Sequence, residues 1–268
     1  NTIQDIPTPS TYSEIALIEK PSTNTYFCKT NDVLKQGLKY VNGQYTYAYG
    51  QEIKSTNTLP VWQNMSSDGW GVQLTNSENI DSVTSNLCTY INNKPLISTS
   101  YMFAFSKASS INLDFNTGNV KNMSYMFSGA SSTTLDVSNF DTSNVTDMSV
   151  MFADSQATTI DLSSFDTSNV TDMNNMFFQS QATTLDVSNF DTSNVTDMSY
   201  MFSFAANLKT IYASNKFNTN NATNSTDMFA ESTNLVGGAG TKYDANHVDK
   251  TYAHIDGGTS NPGYFTDI

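Results

Sequence analysis

Carboxylates recur at fixed positions in the middle of the sequence, and they are the residues whose spacing could support chemistry. Three sets of aspartates repeat at intervals of 25 residues: Asp136, Asp161 and Asp186; Asp141, Asp166 and Asp191; Asp147, Asp172 and Asp197. Paired carboxylates are the catalytic groups of glycosidases, and carboxylate oxygens are the ligands that calcium prefers. These two chemistries are the first candidates.

The repetition itself argues against catalysis. A catalytic pair is unique and asymmetric, whereas an identical aspartate in every copy is typical of a turn or cap that each unit needs. Aspartate side chains make such turns by accepting backbone N–H bonds. We therefore expect no enzyme activity.

Calcium between the stacked aspartates is the alternative interpretation, because like charges at strand spacing repel unless hydrogen bonds, water or cations compensate them. No copy has the dense oxygen-ligand loop of a strong calcium site, so we expect no cofactor. His247 and His254 are the only histidines and lack partners for a zinc site. Cys28 and Cys88 form either a disulfide or two buried thiols, and the sequence leaves both open.

The aspartates belong to an internal repeat. Met-Phe pairs begin at residues 102, 126, 151, 176, 201 and 228. The unit TTLDVSNFDTSNVTDMSVMFADSQA occupies residues 133–157, recurs at 158–182 and starts again at 183, with eroded copies on both sides. A unit of this size cannot bury its apolar face alone, so the copies must stack around one core.

The apolar period changes within each unit. Leu135 and Val137 alternate with polar residues, which predicts a short strand. The apolar residues of the second half fall at i, i+3, i+6 and i+7, which predicts a short helix from Val145 to Phe152. The expected fold is an α/β solenoid, a leucine-rich-repeat-like stack with one strand and one helix per 25-residue unit.

Stacking predicts columns of equivalent side chains about 4.8 Å apart. Asn144 is expected to cap the helix, with Asp147 in its first turn. Asparagines can also hydrogen-bond along the stack. The core columns are predicted to be phenylalanine and methionine: Phe115, Phe140, Phe165 and Phe190; Met126, Met151, Met176 and Met201.

The segments LDVSNFDTSNVTDMSYMF and IDLSSFDTSNVTDMNNMF resemble the BspA-like leucine-rich-repeat family, whose unit of about 26 residues occurs in bacterial surface proteins. The resemblance covers roughly residues 96–230. It implies a solenoid that binds rather than catalyses, as in adhesins. Family units often carry cysteine after Met-Phe, where this chain has Ala130, Asp154, Ser180 or Ala205.

The regions on either side of the repeats have a different residue pattern. Residues 27–95 are predicted to form a β-rich N-terminal cap, because LKYVNGQYTYAYG places Asn42-Gly43 between two alternating runs, a strong hairpin signal. Residues 1–26 are expected to be a linker or docking segment, 96–233 the solenoid, and 234–268 a C-terminal cap.

Aromatic residues in the N-terminal cap are candidate ligand contacts. They are Tyr45, Tyr47, Tyr49, Trp62 and Trp70. They could form a carbohydrate-stacking platform, or they could form the core that covers the open end of the solenoid.

The charge balance restricts the partners. All 12 basic residues are lysines, against 25 acidic ones, for a net charge of -13. This charge balance argues against nucleic acid and anionic membranes as partners. The sequence also has no apolar run of about 18 residues, the length that would predict a membrane span. A chain rich in Asn, Thr and Ser is expected to be extracellular or on a cell surface.

We therefore expect a bacterial surface or secreted adhesin that binds a protein or glycan on a host or neighbouring cell. The alternative is a structural subunit of an extracellular filament or phage fibre that self-associates through its end coils.

Overall fold

A computed structural model describes residues 25–30, 33–41, 44–47, 60–64, 69–74, 82–85, 90–91, 94–113 and 116–268. The N-terminal part contains strands β1 (Thr25–Thr30), β2 (Val33–Val41), β3 (Gln44–Tyr47), β4 (Pro60–Asn64), β5 (Trp70–Leu74), β6 (Ser82–Ser85), β7 (Tyr90–Ile91) and β8 (Lys94–Ser98). The later strands are β9 (Ser110–Leu113), β10 (Thr134–Leu135), β11 (Thr159–Ile160), β12 (Thr184–Asp186), β13 (Thr210–Ala213) and β14 (Phe265–Asp267).

Seven N-terminal strands form one sheet in the order β3-β2-β1-β7-β8-β5-β4. Strands β2 and β3 pair antiparallel with Val41 opposite Gln44, the register of the hairpin that Asn42-Gly43 predicts. The turn residues themselves lie outside the described residues. The edge strands β3 and β4 contact each other, so the sheet curls on itself.

The repeats form a solenoid in which each repeat is one coil, and two parallel ladders run along the stack. The first ladder contains the short strands, as sheets β11-β10-β9-β6 and β12-β13-β14. The second is a row of single bridges that joins Ser98, Asn122, Asp147, Asp172, Asp197 and Asn224. Because Ser98 ends β8, the second ladder continues from the N-terminal sheet.

The predicted helix from Val145 to Phe152 is wrong, since the described residues of the repeats are strands and turns without an α-helix. The N–H of Met151 donates to the carbonyl oxygen of Met148, three residues back, at 3.3 Å. The N–H of Phe152 donates instead to Met176 of the next coil at 3.0 Å. A helix would direct each N–H to the carbonyl four residues back. The spacing of three belongs to successive tight turns.

Left-handed backbone explains why a helix cannot form there. Two positions in each coil have positive φ, among them Val150 at 59° and Asp154 at 56°. Val150 is the third residue of the turn closed by Met148 and Met151, where type II turns require positive φ. This region is unusual for a β-branched residue, so bonds between coils override the local preference. One of them joins the N–H of Val150 to the carbonyl of Asn174 at 2.8 Å.

Asn144 therefore does not cap a helix. Its side-chain N–H donates to the carbonyl oxygen of Gly118 in the preceding coil at 2.7 Å. The equivalent Asn169 donates to Ser143 at the same distance. The expected hydrogen bonding along the stack is thus confirmed, and it ties neighbouring coils together at their turns.

Stacked rings fill the core. The residues that end each Met-Phe pair form one column, in which neighbouring ring centroids lie 5.6 to 5.8 Å apart with nearly parallel planes: Phe103, Phe127, Phe152, Phe177, Phe202 and Phe229. A second column contains Phe140, Phe165 and Phe190. The methionines from 123 to 201 are fully buried beside them, as expected. Phe115 lies outside the described residues.

The C-terminal segment covers the last coil. Strand β14 pairs parallel with β13. Phe265 then meets Phe217 edge-on at 4.9 Å and 77°, and Tyr264 meets Phe229 at 5.1 Å and 74°. Both covering side chains are buried. The parallel ring stack thus ends in edge-to-face contacts. Two short 3₁₀ helices, Lys250–Tyr252 and Gly258–Ser260, complete the segment.

Candidate functional site

The repeat aspartates all form local turns. Oδ1 of Asp136 accepts bonds from the N–H of Ser138 at 3.1 Å and from its hydroxyl at 2.6 Å. Asp141 and Ser143 make the same pair of bonds at 3.0 and 2.6 Å. One oxygen of each carboxylate is therefore occupied by its own backbone two residues on.

At four of these carboxylates the bonds favour the ionised form. Hydrogen bonds from the serines two residues on lower the pKa of Asp136, Asp161, Asp166 and Asp191. A glycosidase requires one carboxylic acid with a raised pKa beside an ionised partner. These four aspartates instead share one kind of environment and one direction of pKa shift.

The third aspartate column is half-buried, and the pKa of its middle member, Asp172, shifts in the opposite direction. Burial raises the pKa of Asp172, and repulsion from Asp147 and Asp197 adds to the rise, although bonds from Asn174 oppose it. An asparagine at each end donates to the column: Asn122 to Asp147 at 3.4 Å and Asn224 to Asp197 at 2.9 Å. Amides therefore close the row of three carboxylates.

A buried threonine column, not predicted from the sequence, also joins the coils. The hydroxyl of Thr142 donates to the carbonyl of Asp166 at 2.9 Å and accepts from the N–H of the same residue at 2.8 Å. Thr117 makes the same two bonds to Asp141. The signal was present, because these threonines fall at the same position of every copy. Their type, however, suggested an exposed residue.

The strand face is the surface formed by exposed residues of the short strands and the turns after them. Thr134, Asp136, Ser138, Thr159 and Asp161 line a shallow concavity with Ile111 and Leu135 at its base. A second concavity follows along the stack, between Asp161 and Asp186. In the next coil Tyr212 pairs with Asp186, so the acidic column ends in an aromatic residue.

The turn face is formed by the two left-handed positions of each coil. The first column contains Tyr101, Tyr125, Val150, Asn175, Tyr200 and Asp227; the second contains Phe105, Gly129, Asp154, Gln179, Phe204 and Glu231. The rings of Tyr101 and Tyr125 stack with centroids 4.4 Å apart. Phe105 is 65% exposed and Phe204 46%.

Gly129 makes room for one of these rings. A Cβ at Gly129 would lie 2.5 Å from the ring of Phe105, and its φ of 66° also favours glycine. The ring thus lies over bare backbone, with most of its surface in solvent. The turn face therefore presents aromatic groups that the fold leaves largely uncovered.

Two overlapping stretches of the chain, residues 76–183 and 155–262, match the family described as Mycoplasma protein of unknown function, DUF285. Together they span 76–262, well over half of the sequence. The chain belongs to this family. No curated protein and no solved structure matches it. The two matches identify a repeat-built protein, and each matched stretch spans several of the coils.

The aromatic residues predicted as ligand contacts lie before the DUF285 repeats. Tyr45 and Tyr47 are in β3, opposite Tyr40 and Leu38 of β2. Trp62 in β4 is paired with Val72, and Trp70 in β5 with Asn64. Tyr49 lies outside the described residues, as does Cys88 of the proposed disulfide. The choice between ligand platform and cap core stays a prediction.

The described residues contain no group of three or more His, Cys, Asp or Glu side chains arranged to hold a metal ion. His247 contacts Asp244 at 2.9 Å and stacks on Tyr252 with centroids 4.3 Å apart. These contacts place it within the packing of the C-terminal segment. Within the described part of the chain, no helix has the length and apolar character needed to cross a membrane.

Proposed function

We propose that this DUF285 protein is a non-enzymatic interaction module, secreted or displayed on a bacterial surface, that presents its repeat-built faces to a protein or glycan. The partner belongs to a host or a neighbouring cell. The proposal rests on the contrast between the core and turn residues that recur in each coil and the variable turn-face positions of otherwise near-identical coils.

This contrast is clearest in the three central copies, 133–157, 158–182 and 183–207. The core position of Phe152 and the turn position of Asp147 have the same residue in all three copies. The turn-face positions do not: Val150, Asn175 and Tyr200 occupy the half-buried one, and Asp154, Gln179 and Phe204 the exposed one. Stacking requires the former residues and not the latter, so the variation supports a recognition surface.

The resemblance to BspA-like leucine-rich repeats supports the surface location and the adhesin class. A low content of charged residues and an exterior rich in Asn, Thr and Ser agree with an extracellular setting. The absence of catalysis is supported by the aspartates, whose oxygens bind their own turns in every coil.

Binding arrays test the proposal. The purified chain is applied to arrays of glycans and extracellular proteins, and glycan hydrolysis is measured in parallel. We expect specific binding to a small set of ligands and no hydrolysis. Hydrolysis without specific binding would reverse the proposal in favour of an enzyme.

The alternative, a filament or phage-fibre subunit, requires contacts between copies of the chain. The C-terminal end coil is covered by Tyr264 and Phe265, and the other end continues into the seven-stranded sheet, which leaves that sheet or the faces for such contacts. Light scattering across a range of concentrations separates the two functions. A chain that stays monomeric when concentrated would count against the filament.

A further inference from the structure

The charged groups of the turn face have one sign. Among its two columns the charged residues are Asp154, Asp227 and Glu231, and lysine is absent from all of these positions. The remaining members include exposed or half-buried rings of tyrosine and phenylalanine. A surface that combines carboxylates with aromatic rings complements a cation that carries a flat or apolar group.

Asp154, like Asp227 and Glu231 on the same face, has a carboxylate that no described group compensates. The other repeat aspartates accept bonds from the residue two positions on, but in the described residues neither a hydrogen bond nor an ion pair reaches the Asp154 carboxylate. Partial burial raises its pKa, with no bond opposing the rise. A partly desolvated carboxylate without a donor gains most from a cationic partner.

Rings flank this carboxylate along the stack. Its direct neighbours in the column are Gly129 and Gln179, and the rings of Phe105 and Phe204 lie two coils before and two coils after it. Tyr125 of the first column lies one coil before it, and Phe178 contacts Phe204 with ring centroids 5.5 Å apart. Neighbouring coils are about 4.8 Å apart, so an extended peptide could reach several of these groups at once. Arginine fits best, because its planar guanidinium both stacks on aromatic rings and pairs with carboxylates.

We propose that the turn face binds an arginine-rich segment of a partner protein, with guanidinium groups stacked on the exposed rings and one of them paired with Asp154. This inference rests on the proposed function and names the face and the partner chemistry. The net charge of -13 attracts any cationic chain, so the test must separate local recognition from the overall field.

The probes are deca-arginine, deca-lysine and neutral deca-citrulline, titrated into the full chain at about 0.15 M salt, where long-range attraction is screened. Asp154→Asn is compared with Asp161→Asn on the strand face, which removes the same charge and keeps an acceptor for Ser163. Phe105→Ala with Phe204→Ala is compared with Tyr212→Ala, an exposed ring on the strand face. Thermal unfolding confirms that each variant is folded.

We expect deca-arginine to bind more tightly than deca-lysine, and deca-citrulline not to bind. Both turn-face variants should weaken the binding of deca-arginine by roughly 3- to 30-fold. The strand-face controls should stay within about twofold, since they lie away from the docking groups.

Equal weakening by Asp154→Asn and Asp161→Asn would overturn the inference, because only net charge would then matter. Failure of deca-arginine to bind would do the same. If a glycan bound on the arrays is lost with the ring variant while deca-arginine binding is not, the face is a glycan site. In that case the interaction function stands and the arginine inference fails.

Discussion

At the scale of single residues, one residue type has two opposite electrostatic roles in the same coil. Asp166 is exposed, and its pKa is lowered by hydrogen bonds from Ser168. Asp172 is half-buried between two like charges, and its pKa is raised. The ionised form is thus favoured by folding at the first position and disfavoured at the second.

Asp172→Asn is expected to stabilise the chain at neutral pH by about 0.2 to 1 kcal/mol, the range for relief of like-charge neighbours across strands. The amide can keep the turn, since Asn122 and Asn224 make it in the same column. When folding raises the pKa of a carboxyl group, its charged form destabilises the fold at pH values above its pKa in the folded state. The effect disappears at pH values below its pKa in the unfolded state. The gain should therefore vanish near pH 3.

The control is Asp166→Asn, which should not stabilise the chain at pH 7, because folding favours the charge that it removes. Because folding lowers the pKa of Asp166, its carboxylate stabilises the fold at pH values above its pKa in the unfolded chain. This stabilisation is lost as the pH falls through its pKa in the folded chain. Urea unfolding at pH 7 and pH 3 measures both variants. A stabilising Asp166→Asn together with a destabilising Asp172→Asn would contradict the assignment.

Thr142→Val tests the buried threonine column. The change preserves the shape of the side chain but removes both bonds to the backbone of Asp166. Loss of bonds to buried backbone groups costs about 1 to 3 kcal/mol. Thr146→Val is the control, because that exposed hydroxyl only adds to an existing backbone bond to Lys121. It should change the free energy of unfolding by less than about 0.5 kcal/mol. Similar losses in the two variants would show that the two bonds made by the Thr142 hydroxyl are not what stabilises this position.

At the scale of elements, the sequence predicted the coil, the short strand and the inward-facing residues. It did not predict the turn row, because a spacing of three is common to helices and to successive tight turns. The turn row is set by backbone N–H groups that donate alternately to carbonyls of their own coil and of the next coil. The spacing of apolar residues in the sequence does not report these bonds. The unpaired carboxylate of Asp154 was also missed, because this position changes residue type from coil to coil and so an aspartate there forms no repeat pattern.

Phe152→Ala tests the ring column. Phe152 is fully buried, with its ring centroid 5.6 Å from Phe127 and 5.8 Å from Phe177. Truncation of a buried aromatic is expected to cost roughly 3 to 5 kcal/mol in the free energy of unfolding. Two controls should cost far less: Phe204→Ala, whose ring is exposed, and Asp147→Asn, which can keep its turn. If Asp147→Asn matched Phe152→Ala, the carboxylates would be structural metal ligands.

At the scale of the whole molecule, the solenoid needs closed ends, because an end coil exposes its rings. The N-terminal side is continuous with the seven-stranded sheet through β8. The C-terminal side depends on one buried carboxylate, Asp256. It accepts bonds from Ala239 at 2.9 Å, Gly258 at 2.9 Å and both the N–H and hydroxyl of Thr241. Through these bonds Asp256 connects the turns that hold Tyr264 and Phe265 over the last coil.

Asp256→Asn is expected to loosen the C-terminal segment while the central coils stay folded. Asparagine has an NH2 group in place of one carboxylate oxygen, and this donor would face the backbone N–H groups that the oxygen accepted. Burial opposes ionisation of Asp256, but the bonds from Thr241, Gly258 and Gly263 hold its pKa well below its usual range. Asp256 contributes fully to the stability of the segment at pH values above its unfolded-state pKa of about 4. This contribution is lost only as the pH falls through its lower pKa in the folded state. The wild-type segment should therefore stay closed at pH 3.

Amide hydrogen exchange measures this directly. In Asp256→Asn, exchange within residues 239–263 should accelerate roughly tenfold or more, as expected when bonds to a charged acceptor are lost, whereas 133–207 should keep wild-type protection. Asp267→Asn, at an exposed terminal position, is the control and should leave both regions unchanged. Uniform acceleration across the coils would mean that the segment and the solenoid unfold as one cooperative unit, and that closure of this end supports every coil behind it.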